Sequence, residues 1–379
     1  MSAIETIYLD YNSTTPVDPV VLDAMLPYFS EQFANAASRS HIQGRIIGDK
    51  IADCRKTVAD FLGCESSEII FTSGATEAIN LAIKGVATAY KNKGQHIITW
   101  QSEHKAVLDV CEKLTASGFE ITLLPVDREG MPDPELYRKT IRKETILTVM
   151  MLANNETGVI QPVREISEIC HENKSLLFCD ATQGPGKMQV NVNDLGADLL
   201  CVSAHKMYGP KGTGAIFIRR KNPRVTLVPL LDGGGHENGL RSGTLNVPGI
   251  IGMAKACEIA ASVYWETTAE VSKLRTILEQ QLTTNGIGYV NGAIKNRLPN
   301  TTNILFPGIR ADKLLLNLPG LAASTGSACS SALPQPSHVL KAMGLNDEEA
   351  FSSVRFSLGK GTTRDHIISA AAMILQQLK

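Results

Sequence analysis

The chain has 379 residues, of which 43% are hydrophobic and 20% charged, and its 37 lysines and arginines nearly balance its 38 aspartates and glutamates. This size and composition exclude a small disulfide-stapled domain and predict a globular protein long enough for two packed lobes. The near-neutral net charge provides no field that would draw the whole chain to nucleic acid or an anionic membrane. The expected partners are therefore small molecules or proteins.

The first residues lack the basic segment followed by an apolar segment that marks a secretory signal. No apolar run approaches the roughly 20 residues needed to span a bilayer. We therefore expect a cytoplasmic location. The eight cysteines are scattered, without a C-x-x-C pair or a Cys/His cluster at zinc-ligand spacing, so no metal site is predicted. Most of them stand in apolar or helical stretches, as buried cysteines do.

The N-terminal part of the chain leads into a junction between a strand and a helix. Its predicted elements are, in order, strand 7–12, helix 19–33, a polar loop over 35–41, amphipathic helix 44–62 and strand 68–72. A Ser73-Gly74 turn then precedes a helix that begins near Ala75. The unpaired N–H groups at such a helix start can bind a phosphate, although Thr76 and Glu77 could equally satisfy the helix's own first turn.

Short apolar runs then alternate with helical patterns. The predicted strands cover 96–100, 120–124, 146–152, 176–179, 199–202 and 215–218, and the predicted helices cover 104–117, 134–142 and 163–173. This alternation indicates an α/β fold in which a mostly parallel, seven-stranded sheet is flanked by helices on both faces.

Polar residues follow four of these strands. The four groups are Glu103-His104, Asn154-Asn155-Glu156, Asp180-Ala181-Thr182-Gln183 and Ser203-Ala204-His205-Lys206. Because the carboxyl ends of parallel strands meet at one rim of a sheet, we expect these groups to lie close together. Such a rim is where open α/β sheets bind ligands.

Two residues of this rim suggest chemistry. Lys206 follows a buried strand and is placed to react with a bound cofactor, although alone it could equally be a lysine that reaches solvent from the sheet edge. Asp180 would be a costly isolated charge unless it meets a cation or a strong donor. It therefore indicates a protonated nitrogen nearby.

A glycine-rich loop over residues 231–244 permits close approach by a backbone or a phosphate, or serves as a flexible turn. The nucleotide-binding pattern G-x-x-x-x-G-K-[ST] is absent, and residues 209–214 resemble it only loosely. We therefore exclude a P-loop ATPase.

The composition changes after a long helix over 248–285. Strands 302–306 and 354–358 and a last helix over 364–378 predict a smaller α+β domain of residues 1–14 and 256–379, beside a large domain of residues 15–255. Residues 323–332 are almost all small, so we expect a mobile loop over about 322–335. This loop would expose Cys329, which could otherwise be a small buried hydrophobe.

A lysine at a strand end, an aspartate after the neighbouring strand and a helix start suited to phosphate match the needs of pyridoxal 5′-phosphate (PLP). The chain closely resembles the group I cysteine desulfurases, which belong to the fold type I, PLP-dependent class V aminotransferases and supply sulfur for iron–sulfur clusters and thio-modification. The motifs that carry this resemblance are Leu9-Asp10-Tyr11-Asn12, Thr14-Thr15-Pro16, Thr72-Ser73-Gly74-Ala75-Thr76-Glu77, Glu103-His104-Lys105-Ala106-Val107, Asn154-Asn155-Glu156, Asp180-Ala181-Thr182-Gln183, His205-Lys206, Arg241-Ser242-Gly243-Thr244 and the cysteine loop that ends in Pro336-Ser337-His338-Val339-Leu340.

The resemblance implies a role for each residue of the site. Lys206 would carry PLP and move a proton, and Asp180 would pair with the pyridine nitrogen. His104 would stack on the ring and help in proton transfer. The remaining assignments are Asn155 and Gln183 to the phenolic oxygen, Ala75, Thr76, Ser203 and His205 to the phosphate, Thr244 to the phosphate from the second subunit of a homodimer, and Asn35 and Arg355 to the substrate carboxylate.

The implied reaction converts L-cysteine to L-alanine and leaves a persulfide on Cys329. That cysteine must react as a thiolate, so we expect it to be activated near the cofactor. The sulfur would then pass to a protein acceptor, which the sequence does not identify: an iron–sulfur scaffold, a tRNA-thiolation enzyme and a DNA-phosphorothioation complex all remain candidates. Direct binding of nucleic acid is not expected.

The sequence departs from the family's usual pattern at three positions. Ala36 stands where proline is common, Ala204 where glycine is usual and Asn238 where arginine is frequent. Many relatives also carry a C-terminal tail longer than the one ending here at Lys379, which leaves docking to a scaffold open. A selenocysteine lyase or another PLP β-lyase would not need Cys329, and a sulfur-relay subunit would bind partners without turnover. These remain the alternatives.

Overall fold

The computed structural model of the chain describes residues 6–326 and 335–378, and of residues 263–265 the backbone alone. The strands are β1 (Ile7–Tyr8), β2 (Ile69–Thr72), β3 (His96–Trp100), β4 (Glu120–Leu124), β5 (Thr145–Met151), β6 (Leu176–Asp180), β7 (Leu199–Ser203), β8 (Gly214–Ile218), β9 (Tyr289–Val290), β10 (Thr301–Leu305), β11 (Leu321–Ala322) and β12 (Ser353–Ser357). The helices are α1 (Pro19–Met25), α2 (Pro27–Ser30), α3 (Ile42–Leu62), α4 (Ala75–Tyr90), α5 (Lys105–Thr115), α6 (Pro134–Thr140), α7 (Val163–Glu172), α8 (Val247–Thr283), α9 (Ala311–Leu316), α10 (His338–Ala342), α11 (Asp347–Phe351) and α12 (Arg364–Gln377).

Seven strands form the main sheet, in the order β2-β8-β7-β6-β5-β3-β4. The strands from β3 to β7 pair in parallel, whereas β8 is antiparallel to both β7 and β2. The predicted α/β fold with a mostly parallel, seven-stranded sheet is therefore confirmed. The parallel strands place the carboxyl ends of β5, β6 and β7 side by side.

The main sheet is covered on both faces. Along β7, Leu199 and Cys201 lie in a core with α4 and α5, whereas Leu200 and Val202 lie in a core with α3, α7 and α8. Successive side chains of a strand point to opposite faces, so a strand buried on both faces must be apolar at every position. This is why the sequence shows these strands as continuous apolar runs. The double burial gives the rim of the sheet a rigid support.

A third core, apart from the two on the faces of the main sheet, lies around β10, β12, α12 and the C-terminal part of α8. In this part β10 is antiparallel to β9 and β12, and the N-terminal strand β1 pairs in parallel with β11. Leu9, directly after β1, is fully buried in this core. The first residues of the chain therefore return to pack beside its last third. The limits of the predicted large and small domains remain a prediction.

Helix α8 joins one core of the main sheet to the third core. Ile250 and Met253 near its start belong to the core that contains α3 and α7, whereas Leu274 and Leu278 belong to the third core. No single helix in the described ranges is long and apolar enough to cross a membrane, and only Val247–Ser262 and Glu266–Gly286, taken together as a bent pair, reach that length and composition.

One predicted helix is wrong in its extent. The sequence favours a helix over 19–33, but α1 ends at Met25 and a separate turn of helix, α2, begins at Pro27 and ends at Ser30. Proline has no N–H to donate and its ring crowds the preceding turn, so the helix breaks at this position. The short elements β9, β11, α9, α10 and α11 were not predicted, because a few residues do not establish a periodic pattern.

Candidate active site

A cavity of about 710 Å³ lies between the carboxyl ends of β5 to β7 and the start of α4. The residues predicted for the site that line it are Ala75, Thr76, His104, Asn155, Asp180, Gln183, Ser203, His205, Lys206 and Arg355. Asn35 and Thr244 do not line it, and Cys329 falls outside the described residues. The fold thus brings most of the predicted residues together at the carboxyl ends of the strands.

Lys206 ends a single turn of 3-10 helix that follows β7 directly. Its Nζ donates hydrogen bonds to the carbonyl oxygens of Asn12, at 2.6 Å, and Ser13, at 2.7 Å. Burial, and next the positive charge of Arg355, lower the pKa of Lys206 from 10.5 to about 8. A neutral amine is a nucleophile and a base, and at pH 7 about a tenth of Lys206 is in that form.

Asp180 is the last residue of β6 and is only 6% exposed. Its Oδ1 accepts hydrogen bonds from the Thr182 backbone N–H, at 3.0 Å, and from the Thr182 hydroxyl and the Cys201 thiol. No side chain among the described residues forms an ion pair with Asp180, although it lines the cavity. A buried carboxylate that faces a cavity and has no ion-pair partner among the described residues is suited to a ligand with a protonated nitrogen.

The start of α4 forms a second anchor point. The backbone N–H groups of Ala75 and Thr76 donate to no protein acceptor in the part of the chain described, and the N-cap residue Gly74 has no side chain to satisfy them. Strand β8 lies so close to this helix start that a Cβ on Gly214 would be 2.7 Å from the Gly74 Cα. Two free donors at the positive end of a helix of 16 residues provide a site for an anion such as a phosphate.

Two histidines line the same cavity. His104 is the N-cap of α5, where its Nδ1 accepts a hydrogen bond from Ala106 N–H at 3.1 Å, so the neutral ring carries its proton on Nε2. His205 Nδ1 lies 3.1 Å from the Thr14 hydroxyl. Burial, and next the charge of Lys206, lower the pKa of His205 to about 4. His205 is therefore neutral at pH 7 and can bond an anion only through an N–H.

Arg355, in the centre of β12, brings a fixed positive charge to the cavity and is only 4% exposed. Its guanidinium donates to the Asn155 carbonyl oxygen at 3.0 Å, to Asp10 Oδ1 at 2.6 Å and to the Ser13 hydroxyl at 2.7 Å. Its buried Nε has no partner in the described ranges. The guanidinium is thus held rigidly with a donor left over.

Sequence reasoning assigned no role to two buried residues, Asn12 and Lys187, that organise this cavity. The Asn12 carbonyl oxygen accepts from both Lys206 Nζ and, at 3.0 Å, Gln183 Nε2. Lys187 is buried, and its Nζ donates to Gln183 Oε1 at 2.6 Å. Burial, with the charges of Lys206 and Arg355, holds the pKa of Lys187 well below its usual range. No pattern in the sequence signals these contacts.

Asn35 and Thr244 lie elsewhere in this chain. Asn35 is exposed, and its Oδ1 accepts a hydrogen bond from Ala37 N–H at 2.9 Å within its own turn. Thr244 is also exposed, in a loop that Arg241 ties to Glu77 at the start of α4 through an ion pair of 3.0 Å. Neither residue is among those that line the cavity of this chain.

Seven of the eight cysteines lie in the described ranges, and the prediction that most are core residues is confirmed, since six of them are buried. Burial raises the pKa of Cys54 to about 11 and those of Cys64 and Cys111 to about 12. A thiol with so high a pKa carries almost no thiolate at neutral pH. The seven are therefore unsuited to nucleophilic chemistry.

Residues 7–368 match the family model for class-V aminotransferases. Over 374 residues the chain is 46% identical to a cysteine desulfurase, IscS, from Anaeromyxobacter sp. strain Fw109-5, a match that covers 98% of this chain and 92% of the relative. A solved NifS-like protein superposes with a TM-score of 0.92 at 38% identity, covering 98% of this chain and 99% of that one. A structure of SspA in complex with cysteine superposes with a TM-score of 0.84 at 36% identity, covering 94% and 99%. The chain therefore belongs to the class-V aminotransferases and, within them, to the cysteine desulfurases.

Proposed function

We propose that this cysteine desulfurase binds PLP in the cavity, converts L-cysteine to L-alanine and takes up the released sulfur on Cys329. The observation that carries the proposal is a single cavity lined by Lys206 with a lowered pKa, Asp180 without a cation and the free N–H groups at the start of α4. An amine, a carboxylate and an anion site are what the aldehyde, the ring nitrogen and the phosphate of PLP require.

The described residues fit this cofactor. When bound, PLP supplies an aldehyde to which an amine can attach and a ring that withdraws electrons from an attached amino acid. Lys206 would hold the aldehyde, Asp180 the ring nitrogen, and Asn155 and Gln183 the phenolic oxygen. Ala75, Thr76, Ser203 and His205 would hold the phosphate, and Thr244 would reach it from a second subunit. Lys187 and Asn12 hold both ends of the Gln183 amide and so fix its orientation.

The chain's own groups then act on cysteine. Arg355 would bind the substrate carboxylate, with Asn35 as the second predicted contact, and so place the Cα–H bond within reach of Lys206. Lys206 Nζ, in its neutral form, would take the proton from Cα and later return it. His104, with its proton on Nε2, would stack on the ring and pass a proton to or from the reacting groups.

Cys329 would carry out the sulfur transfer. Its thiolate attacks the sulfur of the bound cysteine, so that an S–S bond forms and the Cβ–S bond breaks. The electron pair of the broken bond stays with the three-carbon skeleton, which takes up protons and leaves as alanine. Cysteine and one enzyme thiol thus become alanine and one enzyme persulfide, without any outside oxidant.

The test of the function is alanine formation from L-cysteine by the PLP-loaded protein, with L-serine as the control substrate. We expect alanine from cysteine, and none from serine, because only cysteine carries a sulfur that a thiolate can attack. Release of pyruvate instead of alanine, or equal turnover of both substrates, would indicate a β-lyase and contradict the proposal.

The uptake of PLP by the cofactor-free protein should depend on the protonation of Lys206. Because only the neutral amine attacks an aldehyde, and the pKa of Lys206 is lowered to about 8, the rate should rise with pH and level off above about 8. Below that value the neutral fraction falls about tenfold per pH unit. Stopped-flow absorbance of the lysine-bound cofactor measures the rate. A rate that climbs steadily to about pH 10 would indicate an ordinary lysine.

Replacing Arg355 by lysine should weaken cysteine binding while the cofactor stays bound. We expect KM for cysteine to rise about 10- to 100-fold, as for loss of a charge-assisted hydrogen bond pair, with a smaller change in kcat. Cysteamine, which lacks the carboxylate, provides the matched control. The wild type should prefer cysteine strongly over cysteamine, and Arg355→Lys should lose most of that preference. An unchanged preference would remove Arg355 from the carboxylate site.

We further propose that the enzyme is a cytoplasmic homodimer that passes its sulfur to a protein acceptor. The dimer is supported by exposed apolar side chains concentrated near the N-terminus, Val20, Leu26, Phe29, Phe33, Ile42 and Ile46. A concentration of exposed apolar side chains is typical of a surface that binds another protein. The exposed position of Thr244 agrees with a role in a second subunit, and sedimentation of the purified protein tests the dimer.

A further inference from the structure

Glu156 is a buried carboxyl beside the cavity that the mechanism above does not use. It follows Asn155 after β5, and its side chain is almost fully buried. Its backbone N–H donates to Asn154 Oδ1 at 2.8 Å, so the residue is fixed to the loop that carries Asn155. No lysine or arginine among the described residues forms an ion pair with it. A buried carboxyl without a cation needs another reason to be there.

The side chain of Glu156 touches both flanks of residues 327–334, the segment that contains Cys329. On the C-terminal flank, the hydroxyl of the buried Ser337 donates to Glu156 Oε2 at 2.5 Å. On the N-terminal flank, Gly326 packs so tightly that a Cβ there would lie 2.4 Å from the same oxygen. Gly326 also has a φ of +78°, which disfavours any larger residue. The same carboxyl oxygen therefore accepts a hydrogen bond from one flank and packs against the other.

Each flank has a further link to the cavity. Ser324 and Arg355 exchange backbone hydrogen bonds, at 2.7 Å and 3.2 Å, so the N-terminal flank lies against β12. His338 Nε2 donates to the carbonyl oxygen of Glu103 at 2.8 Å, so the C-terminal flank is attached beside His104. These links hold one flank each, whereas Glu156 contacts both. The separation of the two flanks thus depends on its side chain.

We propose that Glu156 is a positioning residue: through Ser337 and Gly326 it fixes the two flanks of the Cys329 segment relative to the cavity. The inference rests on the proposed function, in which Cys329 must meet the sulfur of bound cysteine. Glu156 itself touches neither the substrate nor the cofactor. Its effect is to limit where Gly326 and Ser337 can lie, and so to favour the meeting of Cys329 with the sulfur of the bound cysteine.

The test uses the PLP-loaded protein with the variants Glu156→Ala, Ser337→Ala and the two combined. Ser167→Ala is the control for loss of a buried serine hydroxyl. Ser167 lies in α7, away from the segment, and its hydroxyl donates to the Gly196 carbonyl oxygen at 3.0 Å. Hydrogen exchange followed by mass spectrometry reports on the backbone of residues 324–326 and 335–338. Steady-state kinetics with cysteine separates kcat from KM.

We expect about tenfold faster exchange in both flanks for Glu156→Ala and Ser337→Ala, and no change in either flank for Ser167→Ala. Turnover should fall about 10- to 100-fold in kcat, with KM and the spectral change on adding cysteine unchanged. Ser337→Ala also removes the N-cap bond that its hydroxyl accepts from Leu340 N–H at 3.1 Å. In the double variant the effects should still combine to less than the product of the single effects, because the bond between Ser337 and Glu156 is lost only once.

Wild-type exchange in the flanks of Glu156→Ala would overturn the inference, as would faster exchange with an unchanged kcat or additive effects in the double variant. Failure of the proposed function is distinguishable from these outcomes. It would appear as full turnover by Cys329→Ser and would remove the kcat prediction, whereas exchange in the flanks does not depend on whether Cys329 reacts.

Discussion

Replacing Lys206 by alanine is expected to abolish both cofactor attachment and turnover. Lys206 is the amine that the cavity places, with a pKa of about 8, where it can hold an aldehyde and exchange a proton. Loss of a proton-transfer group alone typically costs about 10²- to 10⁴-fold in rate, and loss of the attachment adds to this. Absorption spectroscopy should show no lysine-bound cofactor, and alanine release from cysteine should fall at least by that factor.

Two controls separate this effect from unfolding. Lys206→Arg keeps a positive charge near the Asn12 and Ser13 carbonyl oxygens but offers no neutral amine, so it should be as inactive as the alanine variant. A small primary amine added to Lys206→Ala should restore part of the turnover, because it can fit the space and carry the proton. Near-wild-type activity of Lys206→Arg, or of Lys206→Ala without added amine, would contradict the role assigned to Lys206.

Replacing Cys329 by serine should abolish alanine formation while cofactor and cysteine still bind. The removal of an essential nucleophile lowers turnover by about 10³-fold or more. The described cysteines cannot substitute for it, because burial raises their pKa values far above neutral pH. We expect an unchanged spectrum of the bound cofactor, a normal spectral change on adding cysteine, and almost no alanine.

The matched control is Cys64→Ser, since Cys64 is a half-buried cysteine with a pKa raised to about 12 by burial. This variant should retain full turnover. If Cys329→Ser also retained it, the sulfur would leave without a protein thiol, and the selenocysteine lyase or β-lyase alternatives would replace the desulfurase reaction.

The central sheet could be predicted from the sequence because all of its strands except the edge strand β4 are buried on both faces. Strands 96–100 and 120–124 are predicted to the residue, and the other strands of the main sheet to within one residue at each end. Residues that pack into two cores must be apolar throughout, and polar residues mark where the cores end. The change from apolar to polar residues at the strand ends also predicts that Asp180 and the turn before Lys206 lie at the rim of the sheet.

Other features depend on contacts that no local pattern encodes. The helical spacing of apolar residues continues past Pro27, but a helix cannot accommodate a proline in its interior, so the chain breaks into α1 and α2. Asn12 meets Lys206 across 194 positions of the chain, and Glu156 meets Ser337 across 181. Hydrogen bonds between such distant positions follow from the tertiary fold. Asn35 is exposed and bonded within its own turn, and its place in the substrate site remains a prediction.

The most direct measurement is a single turnover in which the PLP-loaded protein receives one equivalent of L-cysteine. Alanine is quantified in solution, and the peptide containing Cys329 is examined by mass spectrometry for an added sulfur atom. The proposed reaction predicts alanine and a persulfide on Cys329 in equal amounts, with no added sulfur on the peptide containing Cys64. Alanine released without sulfur on Cys329, or sulfur found on another cysteine, would contradict it.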